Sequence, residues 1–306
     1  MSEAVTRPIN LAIVGDVHHQ WDAIDHAALE SLGVDLVLFV GDYGNEAIAV
    51  VRQISQLNLP KAAILGNHDV WYSVTHKGKE HAPEPRDLDR MQLQLDLLGD
   101  CHVGYGFKDF PELGLSVVGA RPCSWGGDVW KYRKFCKDRF GVHSFQESAN
   151  KIARSIAQTA FDQVIMIGHN GPFGLGATAE SICGKDWGEA MDFGDPDFAA
   201  AIAQAPDLGK RIPLVTFGHM HHRLKSGEPR ITERTIGATG YFNAACVPRH
   251  RTIAGEPVRH FGLITLAQGK VTETRQAWVN AQGKVVATNP NMTGPNMTAP
   301  NPASPI

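Results

Sequence analysis

The first 220 residues alternate short apolar runs with stretches in which apolar positions recur at helical spacing. The apolar runs predict buried strands at 9–14, 35–40, 62–65, 115–118, 164–167 and 212–217. The amphipathic stretches predict helices over about 21–32, 46–57, 88–98 and 144–160. This order is typical of βαβ units around a mainly parallel sheet. After Gly240, the runs 261–266 and 276–279 predict strands of a second sheet.

Two segments interrupt this alternation, and the chain ends in a tract of biased composition. The segments near 70–112 and 121–140 are interpreted as insertions. Residues 288–306 are rich in Asn and Pro, which predicts a disordered tail. The 306 residues are therefore interpreted as a single domain over 1–287 followed by the tail.

Net charge, apolar content and cysteine usage narrow the class of protein. Lys plus Arg number 29 and Asp plus Glu number 32, a formal charge of −3, so bulk attraction to nucleic acid or to an anionic membrane is not expected. No stretch reaches the ~20 apolar residues of a membrane span. Five scattered cysteines without a Cys-x-x-Cys pair predict reduced thiols. We therefore expect a cytoplasmic protein, or one inside an organelle whose transit peptide has been removed.

A glycine followed by Asp, Asn or His stands at the carboxyl end of five predicted strands. A single Gly-Asp or Gly-His is typical of an ordinary turn, but five in one chain indicate a shared site. Ligands of open α/β sheets bind at this edge. The five motifs are Gly15-Asp16-Val17-His18, Gly41-Asp42, Gly66-Asn67-His68-Asp69, Gly168-His169-Asn170 and Gly218-His219-Met220-His221.

Together these motifs offer two carboxylates, one amide oxygen and four imidazoles as ligands. A structural zinc site needs four ligands and prefers cysteine, and magnesium prefers oxygen ligands alone. The mixed set favours a pair of divalent ions, Mn, Fe, Co, Ni or Zn, with Mn the ion expected in an assay. Asp42 can bridge both ions.

The five motifs closely resemble those of the calcineurin-like metallophosphoesterases, over about residues 10–222. The resemblance implies an α/β fold, a four-layer αββα sandwich of two mixed β-sheets flanked by helices, with a dinuclear metal centre at the sheet edge. It leaves His68 free to act on the substrate. The implied ligands are Asp16, His18 and His221 for one metal, Asn67, His169 and His219 for the other, and Asp42 for both.

The resemblance implies a phosphoesterase. Two divalent ions, two carboxylates and a bridging hydroxide leave a site of about +1, which attracts phosphate. We expect the hydroxide to attack phosphorus in line while His68, as general acid, donates a proton to the leaving oxygen. The substrate is then a small phosphomonoester or phosphodiester. The alternative is a noncatalytic scaffold or partner-binding protein of the same fold.

The second motif departs from the family pattern. The family usually has Gly-Asp-x-x-Asp or Gly-Asp-x-x-Gly, whereas this chain has Gly41-Asp42-Tyr43-Gly44-Asn45. The spelling Gly-Asp-Tyr-Gly-Asn-Glu resembles an uncharacterised branch, so no particular substrate is implied. An Asp at the last position can orient the catalytic His, and Asn45 could do so only as a neutral partner. Asn45 is also kept as a candidate substrate contact.

Residues 121–140 combine basic and aromatic side chains. Such a mixture can stack a base and hold a second phosphate, as a nucleotide needs. It is also typical of an amphipathic helix with a solvated charged face, whose buried face would then consist of Val129, Tyr132, Phe135 and Phe140. Arg121 is a candidate phosphate contact because it follows strand 115–118, with a structural salt bridge as the alternative.

Histidine is abundant, with 14 residues. Five of them belong to the proposed centre as ligands or as the general acid. His222 adjoins His221 by sequence alone and is given no role.

Overall fold

The computed structural model describes residues 7–288, in which thirteen strands and eight α-helices occur. The predicted tail lies outside the described residues, apart from Thr288. The strands are β1 (Ile9–Val14), β2 (Leu36–Phe39), β3 (Lys61–Ala63), β4 (Phe107–Phe110), β5 (Leu115–Gly119), β6 (Gln163–Ile167), β7 (Arg211–Phe217), β8 (Glu233–Ile236), β9 (Thr239–Asn243), β10 (His250–Ile253), β11 (Glu256–Ala267), β12 (Lys270–Val279) and β13 (Val285–Ala287). The helices are α1 (Ala23–Leu32), α2 (Ile48–Ser55), α3 (Trp71–Val74), α4 (His76–His81), α5 (Arg90–Leu98), α6 (Arg133–Phe140), α7 (Phe145–Gln158) and α8 (Pro196–Gln204).

The strands form two mixed sheets. In the first, the order is β13-β12-β11-β1-β2-β3, β10 pairs with β11, and β1, β2 and β3 are parallel. In the second, the order is β4-β5-β6-β7-β9-β8, and β5, β6, β7 and β9 are parallel. Antiparallel strands complete both sheets.

Alternating side chains divide the core into three apolar layers. Leu11 and Ile13 of β1 belong to a cluster between the two sheets, together with Leu115 of β5. Ala12 and Val14 belong to the cluster that packs the first sheet against α1, α2 and α5. A third cluster joins the second sheet to α7 and α8. The two-residue period of a strand thus produces the four-layer αββα sandwich, as expected.

The predicted membership of the second sheet was wrong. Strands β11 and β12 extend the first sheet, because β11 runs antiparallel to β1 with Leu266 opposite Ile9. The second sheet is formed by β4 to β9. An apolar run identifies a strand, but its neighbour in the sheet is chosen by contacts between distant parts of the chain.

The segment 70–112 contains more regular structure than predicted. It includes α3, α4, α5 and the edge strand β4, whose Lys108 and Asp109 interrupt the apolar pattern. The helix predicted from 88 begins at Arg90, because the Asp89 side chain accepts from the Gln92 amide and caps it. Leu88 is consequently exposed. None of the helices between residues 7 and 288 is long and apolar enough to cross a membrane.

A buried ion cluster ties α1 to the β10–β11 hairpin. Asp25 is fully buried, and its carboxylate lies 2.5 Å from Arg249 Nη1 and 3.0 Å from His250 Nε2. Burial raises the pKa of Asp25, but the charge of Arg249 and the hydrogen bond with His250 outweigh it and lower that pKa to about 2. The folded protein therefore stabilises the ionised carboxylate.

We expect Asp25→Asn to lower the free energy of unfolding near neutral pH by about 3–5 kcal/mol, because buried Arg249 loses its counter-charge. The unfolded pKa of an Asp is about 3.9. The contribution of Asp25 is therefore fully present above about pH 4 and lost as the pH falls toward 2. Urea unfolding at several pH values should show the difference between wild type and variant shrinking below about pH 4. A difference that does not change with pH would contradict this assignment.

Candidate metal centre

Five strand ends meet at one edge of the sandwich. The loops after β1, β2 and β3 come from the first sheet, and those after β6 and β7 come from the second. Hydrogen bonds connect the two sheets at this edge. His169 Nδ1 donates to the Val40 carbonyl at 2.9 Å, and the His219 amide donates to Asp16 Oδ2 at 3.0 Å. The structure therefore brings the five sequence motifs together.

Four of the candidate ligands have a left-handed backbone. The φ angles are 47° at Asp16, 42° at His18, 56° at Asp42 and 67° at His219. A non-glycine residue in this region costs about 1–3 kcal/mol and persists only where neighbouring contacts hold it. Here the His18 amide donates to the Asp42 carbonyl at 2.8 Å, and the Asp16 amide to the Gly41 carbonyl at 3.2 Å. Backbone strain of this kind is concentrated at functional sites.

Two of the motif glycines lie directly against carboxylates of other motifs. A Cβ on Gly218 would lie 2.2 Å from Asp16 Oδ2, and one on Gly66 would lie 2.2 Å from Asp42 Oδ1. No side chain can be accommodated at such distances. These glycines thus allow the motifs to approach one another, in addition to making tight turns.

Asp16, His18 and His221 form the first cluster of candidate ligands. His221 Nε2 lies 3.4 Å from Asp16 Oδ1, and His18 Nε2 lies 3.8 Å from it. One ligand atom from each residue lies within 4.8 Å of the others. The buried Nε2 of His18 has no hydrogen-bond partner. An unpartnered nitrogen beside a buried carboxylate fits a bound cation.

Asp42, His169 and His219 form the second cluster, with ligand atoms again within 4.8 Å of one another. His169 Nε2 lies 3.3 Å from Asp42 Oδ1, 3.2 Å from His219 Nδ1 and 2.9 Å from Asn67 Oδ1. Because His169 Nδ1 is occupied by the Val40 carbonyl, Nε2 is the nitrogen directed at the cluster.

The Asp42 carboxylate lies between the two clusters. Its Oδ1 faces His169, and its Oδ2 lies 3.8 Å from His18 Nε2. Oδ1 also accepts a hydrogen bond of 2.8 Å from the His68 amide. A carboxylate with one oxygen toward each cluster has the placement of a bridging ligand.

Both buried carboxylates favour the ionised form. Burial raises the pKa of Asp16, but the hydrogen bond and charge of His221 outweigh it and lower that pKa. Burial likewise raises the pKa of Asp42, and the charges of His169 and His68 hold it well below its usual range. The centre therefore presents two negative charges to a cation.

The imidazoles divide into two kinds. Burial lowers the pKa of His18 to about 4 and that of His219 to about 3, so both are neutral at pH 7 and offer a lone pair. Burial also lowers the pKa of His169, but Asp42 and Asp16 outweigh it and raise that pKa to about 10. A cation that binds at this cluster must displace the proton of His169. The affinity of the cluster for the cation therefore rises with pH.

The donor set therefore fits two divalent first-row transition ions. It combines carboxylate, amide and imidazole donors in two adjoining clusters that contain no Lys or Arg side chain. The residues that could hold such ions are Asp16, His18, Asp42, Asn67, His169, His219 and His221. A ring nitrogen of His68 also lies within 4.8 Å of ligand atoms of His18 and Asp42.

Sequence reasoning gave no role to Asp69, which holds two of the loops together. The side chain is fully buried. Its Oδ2 accepts from the amides of Asp42 at 2.9 Å and Gly66 at 2.7 Å, and its Oδ1 accepts from the Tyr43 amide at 2.9 Å. The sequence does point to Asp69 as the last residue of the motif Gly66-Asn67-His68-Asp69. Two of the three amides that donate to it, however, lie in a different loop.

His68 lies beside the first cluster and is oriented by Asn45. His68 Nδ1 donates to Asn45 Oδ1 at 2.7 Å, which leaves Nε2 as the nitrogen available to a substrate. The His68 ring centroid lies 4.9 Å from that of His18. The neutral-partner interpretation of Asn45 agrees with this contact.

An aromatic wall, formed by Trp71, Trp125 and Tyr132, continues from His68. Trp71 stacks on His68 with 5.4 Å between ring centroids and 9° between planes. Trp125 stacks on Trp71 at 5.8 Å, and Tyr132 lies 5.1 Å from Trp125. Lys131 Nζ is 5.7 Å from the centre of the Trp125 ring.

Arg121 forms a buried salt bridge with two aspartates. It is only 5 % exposed, and its guanidinium lies 2.8 Å from Asp195 Oδ1 and 2.9 Å from Asp197 Oδ2. It also lies over the Trp130 ring, 4.8 Å from its centre. Of the two alternatives for Arg121, the structure therefore shows the salt bridge and not the phosphate contact.

The amphipathic helix predicted in 121–140 is shorter than expected. Only Arg133–Phe140 is helical. Phe135 and Phe140 pack against the core, whereas Val129 precedes the helix and is 63 % exposed. The assignment of Val129 to a buried face was wrong, because Gly126 and Gly127, both with positive φ, keep the chain before it in a loop.

The chain is similar to a known protein family and to several solved structures. The family model for calcineurin-like phosphoesterases matches residues 9–223. Among solved structures, TT1561 of Thermus thermophilus has a TM-score of 0.52 and 13 % identity, over 88 % of this chain and 99 % of that one. A dimetal phosphatase from Danio rerio has a TM-score of 0.46 and 11 % identity, over 89 % and 96 %. No curated protein matches the chain.

Identities this low restrict the structural likeness to the fold. The family match rests on different ground, because it spans about two thirds of the chain and contains all five motifs that meet at the site. The chain belongs to the calcineurin-like phosphoesterase family.

Proposed function

We propose that this protein hydrolyses phosphate esters with two divalent metal ions and with His68 as general acid. The observation that carries this proposal is the placement of Asp42 between two clusters of buried ligands. When bound, such ions polarise phosphoryl oxygens and acidify water. One ion would be held by Asp16, His18 and His221, the other by Asn67, His169 and His219, and both by Asp42.

His68 would donate a proton from Nε2 to the leaving-group oxygen. Its hydrogen bond to Asn45 fixes the ring plane while Nδ1 remains a donor. Because Asn45 is uncharged, it orients the imidazole without the negative charge that would hold the proton more tightly. Stacking on Trp71 further restricts the ring.

The aromatic wall favours a phosphate ester whose leaving group is planar, nucleotide-like esters included. Trp71 and Trp125 follow His68 in a continuous stack, so a ring attached to the leaving oxygen would meet aromatic side chains. Lys131 beside Trp125 adds a positive charge that suits an anionic substrate.

A noncatalytic scaffold of the same fold is the competing function. It does not explain why the His18 Nε2 atom is buried without a partner beside two carboxylates, because a buried polar atom without a hydrogen bond is costly. No contact in the described part of the chain favours the scaffold.

The proposal is tested by metal analysis combined with turnover. Protein purified in manganese-supplemented buffer should hold about two ions per chain. It should hydrolyse members of a panel of nitrophenyl monoesters, nitrophenyl diesters and nucleotides. Chelation should remove the activity, and added Mn²⁺ should restore it. An empty centre in this buffer would refute the proposal, while two ions without turnover on any ester would favour the scaffold.

A further inference from the structure

A further group of metal-ligating side chains, separate from the first and second clusters, lies outside the proposed centre. His222, Cys246 and His260 each offer one ligand atom, and these atoms lie within 4.8 Å of one another. The three residues are 5 %, 2 % and 2 % exposed. Cys246 follows β9 of the second sheet, and His260 belongs to β11 of the first. The cluster therefore joins the two sheets at a buried position.

Two ring nitrogens in this cluster lack hydrogen-bond partners. His222 Nε2 donates to the Asn243 carbonyl at 2.9 Å, which leaves Nδ1 with a lone pair and no partner. His260 Nε2 is also buried without a partner. A buried polar atom without a hydrogen-bond partner is unfavourable, because it has lost its hydrogen bonds to water. A cation that accepts both lone pairs would remove this cost, and the Cys246 thiol beside them is free.

The chemistry of the three ligands selects a soft cation. A thiolate with two imidazoles suits Cu⁺ or Zn²⁺ better than hard ions. A structural Zn²⁺ site is closed by four protein ligands, and the cluster supplies three from the described residues. Cu⁺ accepts a lower coordination number, so the number of ligands favours it.

The charge balance points the same way. One thiolate and two neutral imidazoles bind Cu⁺ as a neutral unit, whereas Zn²⁺ leaves a buried charge of +1, which is costly. Two guanidinium groups lie near the cluster, and Asp25 neutralises that of Arg249. Arg249 donates to the His260 carbonyl at 3.2 Å, and the Arg251 guanidinium lies 4.6 Å from the centre of the Trp278 ring, which itself contacts His260.

We propose that His222, Cys246 and His260 bind one Cu⁺ ion. On binding, the Cys246 S–H bond breaks, its proton passes to solvent, a copper–sulfur bond forms, and no oxidation state changes. With metal–ligand bonds of about 2.0–2.3 Å, trigonal ligand atoms lie about 3.5–4 Å apart. Small side-chain movements are therefore sufficient to close the cluster. The site is separate from the proposed dinuclear centre, although His222 follows His221.

The test is a Cu⁺ titration of the full-length chain loaded with Mn²⁺, under anaerobic conditions and against a chromophoric Cu⁺ chelator. We expect one Cu⁺ per chain without loss of Mn²⁺, together with thiolate-to-copper absorption in the near ultraviolet. Cys246→Ser should weaken Cu⁺ binding by at least about 100-fold, since changes outside the ligand shell alone cost 10–100-fold. Cys136→Ser removes another buried thiol, which belongs to none of the ligand clusters, and should leave Cu⁺ binding unchanged.

A second ligand variant and two folding measurements distinguish a lost Cu⁺ ligand from a misfolded variant. His260→Asn should lose Cu⁺ binding as Cys246→Ser does, and circular dichroism checks that each variant is folded. Added Cu⁺ should raise the Tm of the wild type and of Cys136→Ser, but not that of the other two variants. Equal Cu⁺ affinity in Cys246→Ser, displacement of Mn²⁺ by Cu⁺, or tighter binding of Zn²⁺ than of Cu⁺ would each overturn the proposal.

Discussion

Replacing Asp42 with asparagine is expected to lower the bound metal from about two ions per chain to one or fewer, and kcat/KM by at least about 10³-fold. The amide carries no negative charge and presents one oxygen instead of two, so it cannot serve both clusters. It still accepts the hydrogen bond from the His68 amide, so the loop should keep its shape. Elemental analysis and turnover of nitrophenyl phosphate measure the two effects.

The matched control for this variant is Asp207→Asn, which changes an exposed carboxylate outside the site. It should bind metal and turn over substrate as the wild type does. If Asp42→Asn retained two ions and full activity while remaining folded, Asp42 would not be the shared ligand.

Replacing His68 with alanine is expected to leave the metal content unchanged and to lower turnover of esters with poor leaving groups by about 10²- to 10⁴-fold. The loss should be smaller for nitrophenyl esters, because their leaving oxygen needs no proton. Steady-state kinetics with an alkyl phosphate and a nitrophenyl phosphate separate the two cases. Equal losses on both esters would exclude the general-acid role and favour a role for His68 in orienting ligands.

Asn45→Ala provides a graded comparison with His68→Ala. It removes the hydrogen bond to His68 Nδ1 but keeps the imidazole and its stacking on Trp71. We expect a smaller loss in kcat, again mainly for poor leaving groups. A loss confined to KM would instead favour the alternative role of Asn45 as a substrate contact.

Local sequence patterns were sufficient for the elements that position the site. Strand β1 has the predicted bounds, Ile9–Val14, and Gly33 ends α1 in the left-handed conformation with φ of 63°. Both features depend on residues within one element. A buried strand needs a continuous apolar run, and a helix end needs a residue that tolerates positive φ. The five motifs could be recognised for the same reason, because each is a short segment at a strand end.

Partners of charged side chains were not predictable in the same way. Arg121 was a candidate phosphate contact with a salt bridge as the alternative, and the sequence did not decide between them. Its partners, Asp195 and Asp197, lie more than seventy residues further along the chain. Asp69 was overlooked because two of the three backbone amides that donate to it, those of Asp42 and Tyr43, belong to a different loop. Nothing in the local sequence of either residue specifies such contacts.

The sequence by itself determined which residues are candidates for the chemistry, the family resemblance that implies the αββα class, and the strand ends at which the five motifs stand. Only the tertiary structure decided that β11 extends the first sheet, that Asp42 lies between two ligand clusters, and that His222 meets Cys246 and His260. The physical reason is the range of the interactions. Strand and turn preferences act over a few residues, whereas sheet order, ion pairing and ligand convergence depend on side chains that become neighbours only when the two sheets pack.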